Sequence, residues 1–560
     1  MSKGMSAKLK EFASDFMAQW AAGKGERPRH DTPHSVTTSR SSEEEGEFAK
    51  LLRSSDSKRN NDAVSRARKD SATFLEPNKR VGSSMQSADI TSLSSPIGGK
   101  LTDETKSSAP AIEIPVPQTV QPSELQSIKV CGVLARAKPH SPLGPVAEVE
   151  GGKLAILGLD FGTAFTKAVV RWSGYHHAVD WSDSVEVEDP YLMPSVFCEH
   201  KDGSCVLGSR TEAGWKTFDG IKLKLLSVDE TPSASDLADA VIFLALAFRH
   251  VNTWLRRATS VGKAPMRWRL HVGLPTQSWD DSGTSLSFKT IAQAARLVAC
   301  ESGTISRVSA MNALQRTGSV ERPAVDVFPE FACQLYSYLL SSERQDDLHA
   351  LVDIGAGTMD VAFFNVHSHA GENILPIFSA NVDKLGAHYL IAALADEKSA
   401  QLVWKDGDAS LTDEQISKKT KTPKNEISVR RRKFGARVAK LFNGVRKGAK
   451  LVYETSPAFK RGADVRLFLC GGGSRISTFR EKFNEIYRES ASLCKLNFVL
   501  SDLVQPKDLV GNIGSNYDRL SVAYGLSQNA ANIGSAMRSS DLQPVRADLH
   551  CQTRDRDDDR

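Results

Sequence analysis

The chain has 560 residues, 40% hydrophobic and 25% charged, with a formal net charge of +5 from 72 Lys and Arg against 67 Asp and Glu. So small a surplus makes no case for nucleic-acid binding, and no run approaches the ~18 to 20 apolar residues of a membrane span. The eight cysteines are isolated, without paired CxxC spacing, and read as reduced thiols of a cytoplasmic protein.

Residues 1–150 are expected to form a largely disordered extension. Between Lys24 and Thr119 serine, threonine and charged residues dominate, as in Ser41-Ser42-Glu43-Glu44-Glu45, and such a stretch cannot offset its ordering entropy by burial. Leu9, Phe12, Phe16 and Trp20 recur at helical spacing and predict a short amphipathic helix over 7–22, either a docking element or a transient helix without a partner. No apolar core of a secretory signal is present in Met1 to Gly23. The Pro-containing Ile112 to Pro122 reads as a linker.

From Lys153 the character changes. Leu154 to Asp160 is an apolar run of strand length ending in a turn, and Ala168 to Trp172 reads as the returning strand. A helix is predicted through Asp236 to Arg257, a strand over Trp268 to Gly273, a helix over Ser287 to Glu301, and strands over Leu348 to Ile354 and Val465 to Leu469. The alternation predicts an α/β protein with sheets covered by helices. From Ser535 the composition is polar again, which reads as a tail.

Three glycine-rich turns follow strands. In Asp160-Phe161-Gly162-Thr163, Gly162 lets a hairpin backbone approach a phosphate, Thr163 adds a hydroxyl, and Asp160 offers a carboxylate where a hydrated Mg²⁺ would sit. Asp353-Ile354-Gly355-Ala356-Gly357-Thr358-Met359-Asp360 repeats the pattern, so that two similar hairpins would clamp a phosphate chain. In Cys470-Gly471-Gly472-Gly473-Ser474-Arg475 the glycines permit a flat purine to lie on backbone, and a guanidinium can stack on it. Singly, each turn reads equally well as a structural hairpin or helix cap. Together, in this order and each on a strand end, they are specific.

The triplet resembles the two phosphate motifs and the adenosine motif of the actin, sugar-kinase and heat-shock-chaperone ATPase superfamily, most closely the DnaK-type chaperones, over Leu154 to Gln528. Met193-Pro194-Ser195-Val196, Ile221 to Leu226, Val272-Gly273-Leu274-Pro275, Pro329-Glu330 and Leu520 to Leu526 are similar to smaller segments of that branch. The resemblance implies a two-lobed actin-like ATPase fold of duplicated ribonuclease-H-like domains, with lobe I over 151–345, lobe II over 346–530 and a polar tail over 531–560. It also implies ATP or ADP with Mg²⁺ as cofactors. Asp353, Lys222 and Glu330 would be catalytic, with Lys224 as the alternative lysine. Gly162, Thr163, Gly355, Gly357, Thr358, Gly471, Gly472 and Arg475 would bind nucleotide, and Asp160 and Asp360 would serve the metal.

Against the family pattern, Ala356 replaces a glycine and would be strained if forced to positive φ. The segment from Val382 to Asp464 is short, its expected adenine-contacting acid is not evident, and Arg446, Lys447 and Lys450 are loose candidates for the basic partners. The run Arg430-Arg431-Arg432-Lys433 reads as a solvated helix face. After Leu520 to Leu526, which resembles the family's second connecting helix, only a tail remains, which leaves no room for the β-sandwich that clamps peptides. The expected function is therefore a chaperone-like ATPase switch that signals to a protein partner or client, with no nucleic acid and no membrane span. A filament-forming or filament-anchoring actin-like protein and a small-molecule kinase are the alternatives.

Overall fold

The strand predicted at Leu154 is β1 (Lys153–Asp160), whose last six residues are all buried, as expected of a strand covered on both faces. The computed structural model describes residues 152–226, 231–259, 264–317, 324–369, 372–395, 412–454, 464–490 and 496–542, together with Ala135, His140, Pro142, Leu143 and Phe459.

In lobe I, β1 is followed by β2 (Phe165–Trp172), β3 (Tyr175–Ala178) and the two-residue β4 (Met193–Pro194). A small separate sheet then forms from β5 (Phe197–His200), β6 (Cys205–Leu207) and β7 (Trp215–Phe218). Helix α1 (Ile221–Leu225) precedes the long α2 (Ala234–Ala258), which begins at a reciprocal cap between Ser233 and Asp236 and ends with Arg256 and Arg257 against the helix dipole. After β8 (Met266–Leu274) come α3 (Thr276–Asp280), α4 (Ser282–Cys300), α5 (Arg307–Arg316) and β9 (Val325–Pro329). Strands β1 to β3 pair antiparallel, while β8 and β9 continue the sheet parallel on the other side of β1.

Lobe II repeats this plan. Strands β10 (Asp347–Ile354), β11 (Met359–His369) and β12 (Glu372–Asp383) pair antiparallel, and β13 (Asp464–Cys470) and β14 (Asn497–Ser501) extend the sheet parallel beyond β10. The two sheets thus share one strand order, and the expected two-lobed, duplicated α/β fold is the one adopted.

Two short helix groups join the lobes by exchange. Helices α6 (Glu330–Gln334) and α7 (Tyr336–Leu339) follow β9 of lobe I, yet Phe331, Leu335 and Tyr338 pack with Leu351, Phe364 and Phe468 of lobe II. Lobe II adds α8 (Ala387–Leu394), α9 (Asp413–Thr420), α10 (Lys424–Val452) and α11 (Ser477–Glu489). Then α12 (Tyr517–Leu526), reached through the two-residue β15 (Leu509–Val510), crosses back so that Leu520, Ala523 and Tyr524 share a core with Val169 and Ala178 of lobe I.

Residue 531 does not begin a free tail. Helix α13 (Ala530–Ile533) leads into β16 (Ser535–Met537), which pairs parallel with the edge strand β12, and the Ser539 N–H donates to Asp280 at 3.0 Å. The polar composition that suggested a tail here serves an edge strand, whose bonds are made by backbone. The rest of the tail, 543–560, lies outside the described residues, as does most of the extension with its predicted helix over 7–22. Four residues assigned to that extension are packed on lobe I. Ala135 bridges Val185, His140 meets Ser184, the Pro142 carbonyl accepts from Asn252 at 2.8 Å, and Leu143 is 4% exposed in the lobe I core. Among the described residues no helix is long and apolar enough to cross a membrane.

Candidate functional site

The two predicted hairpins occupy equivalent places, each joining the first two strands of its sheet. Asp160 stands opposite Lys167 across β1 and β2, and Asp353 stands opposite Asp360 across β10 and β11. The first pair is neutralised, with Lys167 Nζ 2.8 Å from Asp160 Oδ2. The second sets two acids face to face, an arrangement that disfavours ionisation of both.

Each loop is closed by its own backbone. Gly162 N–H donates to the Asp160 carbonyl at 3.1 Å, and Ser195 Oγ donates to the Gly162 carbonyl at 2.7 Å. In the second loop Gly355 N–H donates to Thr358 O at 2.9 Å, and the first N–H groups of α8, on Ala387 and His388, donate to the Gly355 and Ala356 carbonyls. Ala356 is not among the residues at positive φ, so the strain expected from replacing a glycine is absent. A Cβ placed on Gly357 would lie 3.0 Å from Thr163 Cγ2 and 3.1 Å from Leu223, so the two hairpins touch across the lobes.

Lys222, on α1, is buried and places Nζ 2.7 Å from Glu330 Oε1, while Lys224 is exposed. Of the two lysines, Lys222 is the one buried beside the acids. Glu330 opens α6 directly after Pro329. Asp360 Oδ2 accepts the backbone N–H of Thr276, at the start of α3, at 2.8 Å, which ties lobe I to lobe II. Its Oδ1 is buried without a protein partner. Gln334 Nε2 approaches Asp353 Oδ2 at 3.4 Å.

Burial, reinforced by the negative charges of Glu330 and Asp160, pushes the Asp353 carboxyl up to about 7. Burial likewise pushes Asp360 up to about 7, against the opposing Thr276 N–H. Glu330 is raised by burial, opposed by the Lys222 ammonium and reinforced by Asp160. Four carboxylates therefore meet two lysines, and among the described residues Asp353 and Asp360 are the two of them in no direct ion pair, Lys167 and Lys222 acting on them from farther away. Among the described residues no three His, Cys, Asp or Glu side chains form a direct metal cage. Asp360, with a buried orphaned oxygen, instead fits a divalent cation that keeps most of its water, as Mg²⁺ does.

The third turn leans on the second hairpin. Gly471 adopts φ 78°, and Gly473 lies so close to Ile354 that a side chain at either glycine would collide with Ile354. Gly472 to Arg475 form a 3-10 turn ahead of α11. The Arg475 guanidinium is held by Asp518 and by Asn516 Oδ1, the latter at 2.9 Å. It lines a cavity of about 530 Å³ together with Leu469, Cys470, Ser474, Tyr517 and Asp518. Gly472 faces the guanidinium of Arg519.

All the predicted acids and Lys222 thus lie along the seam of the lobes, with Gly471, Gly472 and Arg475 at one end. Lys167, Thr276 and Gln334 went unpredicted. For Lys167 a signal existed: the spacing from Asp160 to Lys167 equals that from Asp353 to Asp360. Thr276 acts through its backbone and carried no such mark.

No protein-family model matches this chain, and no curated protein does. Among solved structures, it is similar to the crystal structure of MreB 5 of Spiroplasma citri bound to AMPPNP, at 14% identity and a TM-score of 0.35, over 66% of this chain and 94% of that one.

Proposed function

We propose that the protein is an ATP-binding and ATP-hydrolysing switch of the chaperone-like kind, with Mg-ATP gripped between its two lobes. The reading rests on one observation: equivalent hairpins of two equivalent sheets bring four carboxylates and two lysines to one seam, with two of the carboxylates in no direct ion pair among the described residues.

In this reading the two loops, with Gly162 and Thr163 in one and Gly355, Gly357 and Thr358 in the other, bind the phosphate chain, and Gly471, Gly472 and Arg475 frame the adenosine. Asp160 and Asp360 would hold a hydrated Mg²⁺, which when bound neutralises phosphate charge. Asp353 orients and deprotonates the attacking water, a task suited to a carboxyl whose proton leaves near neutral pH. Lys222, with Glu330 fixing its ammonium, faces the charge that grows on the outer phosphate. Because Thr163, Leu223 and Gly357 are in contact, the phosphates enter only when the lobes part, which couples nucleotide state to lobe angle and so to a protein partner.

Mg-ATP binding and single-turnover hydrolysis test this in the wild type, Asp353→Ala and Lys222→Ala. Wild type is expected to bind, Asp353→Ala to bind with turnover reduced about 100-fold or more, and Lys222→Ala to lose a similar factor. Wild-type protein that does not bind Mg-ATP, or substitutions without effect on turnover, would overturn the proposal.

A further inference from the structure

Charge on this molecule is concentrated on one helix. Helix α10 carries ten Lys and Arg against the single Glu426, a surplus of nine, while the whole chain nets +5, so the remainder is slightly negative. The run Arg430 to Lys433 is only part of this. Arg430 pairs with Glu426 and Arg431 with Asp413, and these two serve the fold.

The exposed side of α10 is a different set. Helical geometry places Val429, Arg432, Lys433, Ala436, Arg437, Lys440, Gly444, Lys447, Lys450 and Leu451 on the face away from buried Phe434, Val438, Leu441 and Val445. Six of these ten are cations and none is an acid. Among the described residues only Arg437 of these has an ion-pair partner, Asp383 at 3.9 Å. The stripe from Val429 to Leu451 is about 33 Å long at the rise of an α-helix. Two aliphatic side chains mark its ends, with Val429 39% and Leu451 78% exposed.

We propose that this face of α10 is a docking surface for a membrane rich in anionic lipid headgroups, on which lobe II lies without inserting a helix. A straight row of cations on a rigid lobe can meet a flat anionic plane along its whole length, and two exposed aliphatic residues at its ends reach the acyl boundary. The composition disfavours nucleic acid as the occupant. The face presents no aromatic ring to stack on a base, and its small residues and terminal aliphatics have no use against a phosphate backbone.

Co-sedimentation of the full chain with phosphatidylcholine vesicles, with and without phosphatidylserine, tests this. Binding is expected only with phosphatidylserine and should fall with added salt. Each cation at such a surface contributes about fivefold, so Arg432→Gln/Lys433→Gln/Lys440→Gln should bind roughly 100-fold more weakly. The charge-matched Lys153→Gln/Lys201→Gln/Lys507→Gln, exposed elsewhere, should weaken binding much less. Val429→Ser/Leu451→Ser keeps every charge and is expected to lose vesicle binding several-fold. An unchanged circular-dichroism melt shows that each variant is folded. Absence of binding to phosphatidylserine vesicles, or binding that survives either α10 variant, overturns the proposal. Capture of duplex DNA, lost with the three α10 cations and indifferent to Val429→Ser/Leu451→Ser, would also overturn it and assign the face to nucleic acid.

Discussion

Asp353 and Asp360 face each other across β10 and β11 with carboxyls pushed up to about 7, from an ordinary 3.8. A raised acid pKa means that the folded state holds its protons longer than the unfolded chain. The stability these groups contribute is therefore complete below about pH 4 and is lost as pH rises through 7. In nucleotide-free protein Asp360→Asn should relieve this. Urea unfolding at pH 8 is expected to show the variant about 2 kcal/mol more stable than wild type, with the two nearly equal at pH 4 and Mg-ATP binding lost. Equal stability at pH 8 would mean that the pair is already compensated. Asp160 and Asp353 stood out by turn spacing and strand ends, whereas Lys222, Glu330 and the role of Asp360 came from the family resemblance. Which of them carried an unbalanced charge depended on Lys167 being paired and Asp360 being opposed, a matter of cross-strand register.

Among elements, α6 and α12 bear on each other where Gly525 meets the Cys333 backbone, with no room for a side chain between them. Gly525→Ala would force these connecting helices apart, and with them the packing that each exchanges with the opposite lobe. A cost of about 3 kcal/mol is expected, with a matching drop in thermal midpoint. A variant as stable as wild type would show that the crossing is loose. The helices and strands were legible because their apolar periods are long and uninterrupted, as in β1 and α2. The packing of α6 on lobe II and of α12 on lobe I was not, because both are short helices whose buried faces name no partner. β16 is a further case: three residues that pair through backbone leave no periodic mark.

For the whole molecule, the boundary of lobe I lies before residue 151. Ser184 Oγ sits between His140 Nε2 at 2.7 Å and His250 Nδ1 at 2.5 Å, and His250 Nε2 meets the Asp180 carbonyl at 2.9 Å. Burial lowers His140 to about 4 and His250 to about 3, aided by Arg257 for the first and by His140 for the second. The unfolded chain takes these protons first, so this contribution is intact above about pH 6.5 and fades as pH falls toward 4. A chain beginning at Val130 should melt like the full protein. One beginning at Gly151 loses Leu143 from the core, the Pro142 carbonyl that accepts from Asn252 and the His140 contact of Ser184, and is expected to be about 3 kcal/mol less stable. Equal melting of the two would place the boundary where composition alone put it. The sequence by itself determined the α/β class, the duplicated hairpins and the acids at their ends, because strand periodicity and turn chemistry act over a few residues. Only the tertiary structure decided which carboxylates share a cation, which helix crosses to which lobe, and that residues near 140 belong to lobe I. Those outcomes depend on contacts between segments far apart in the chain, for which local pattern carries no address.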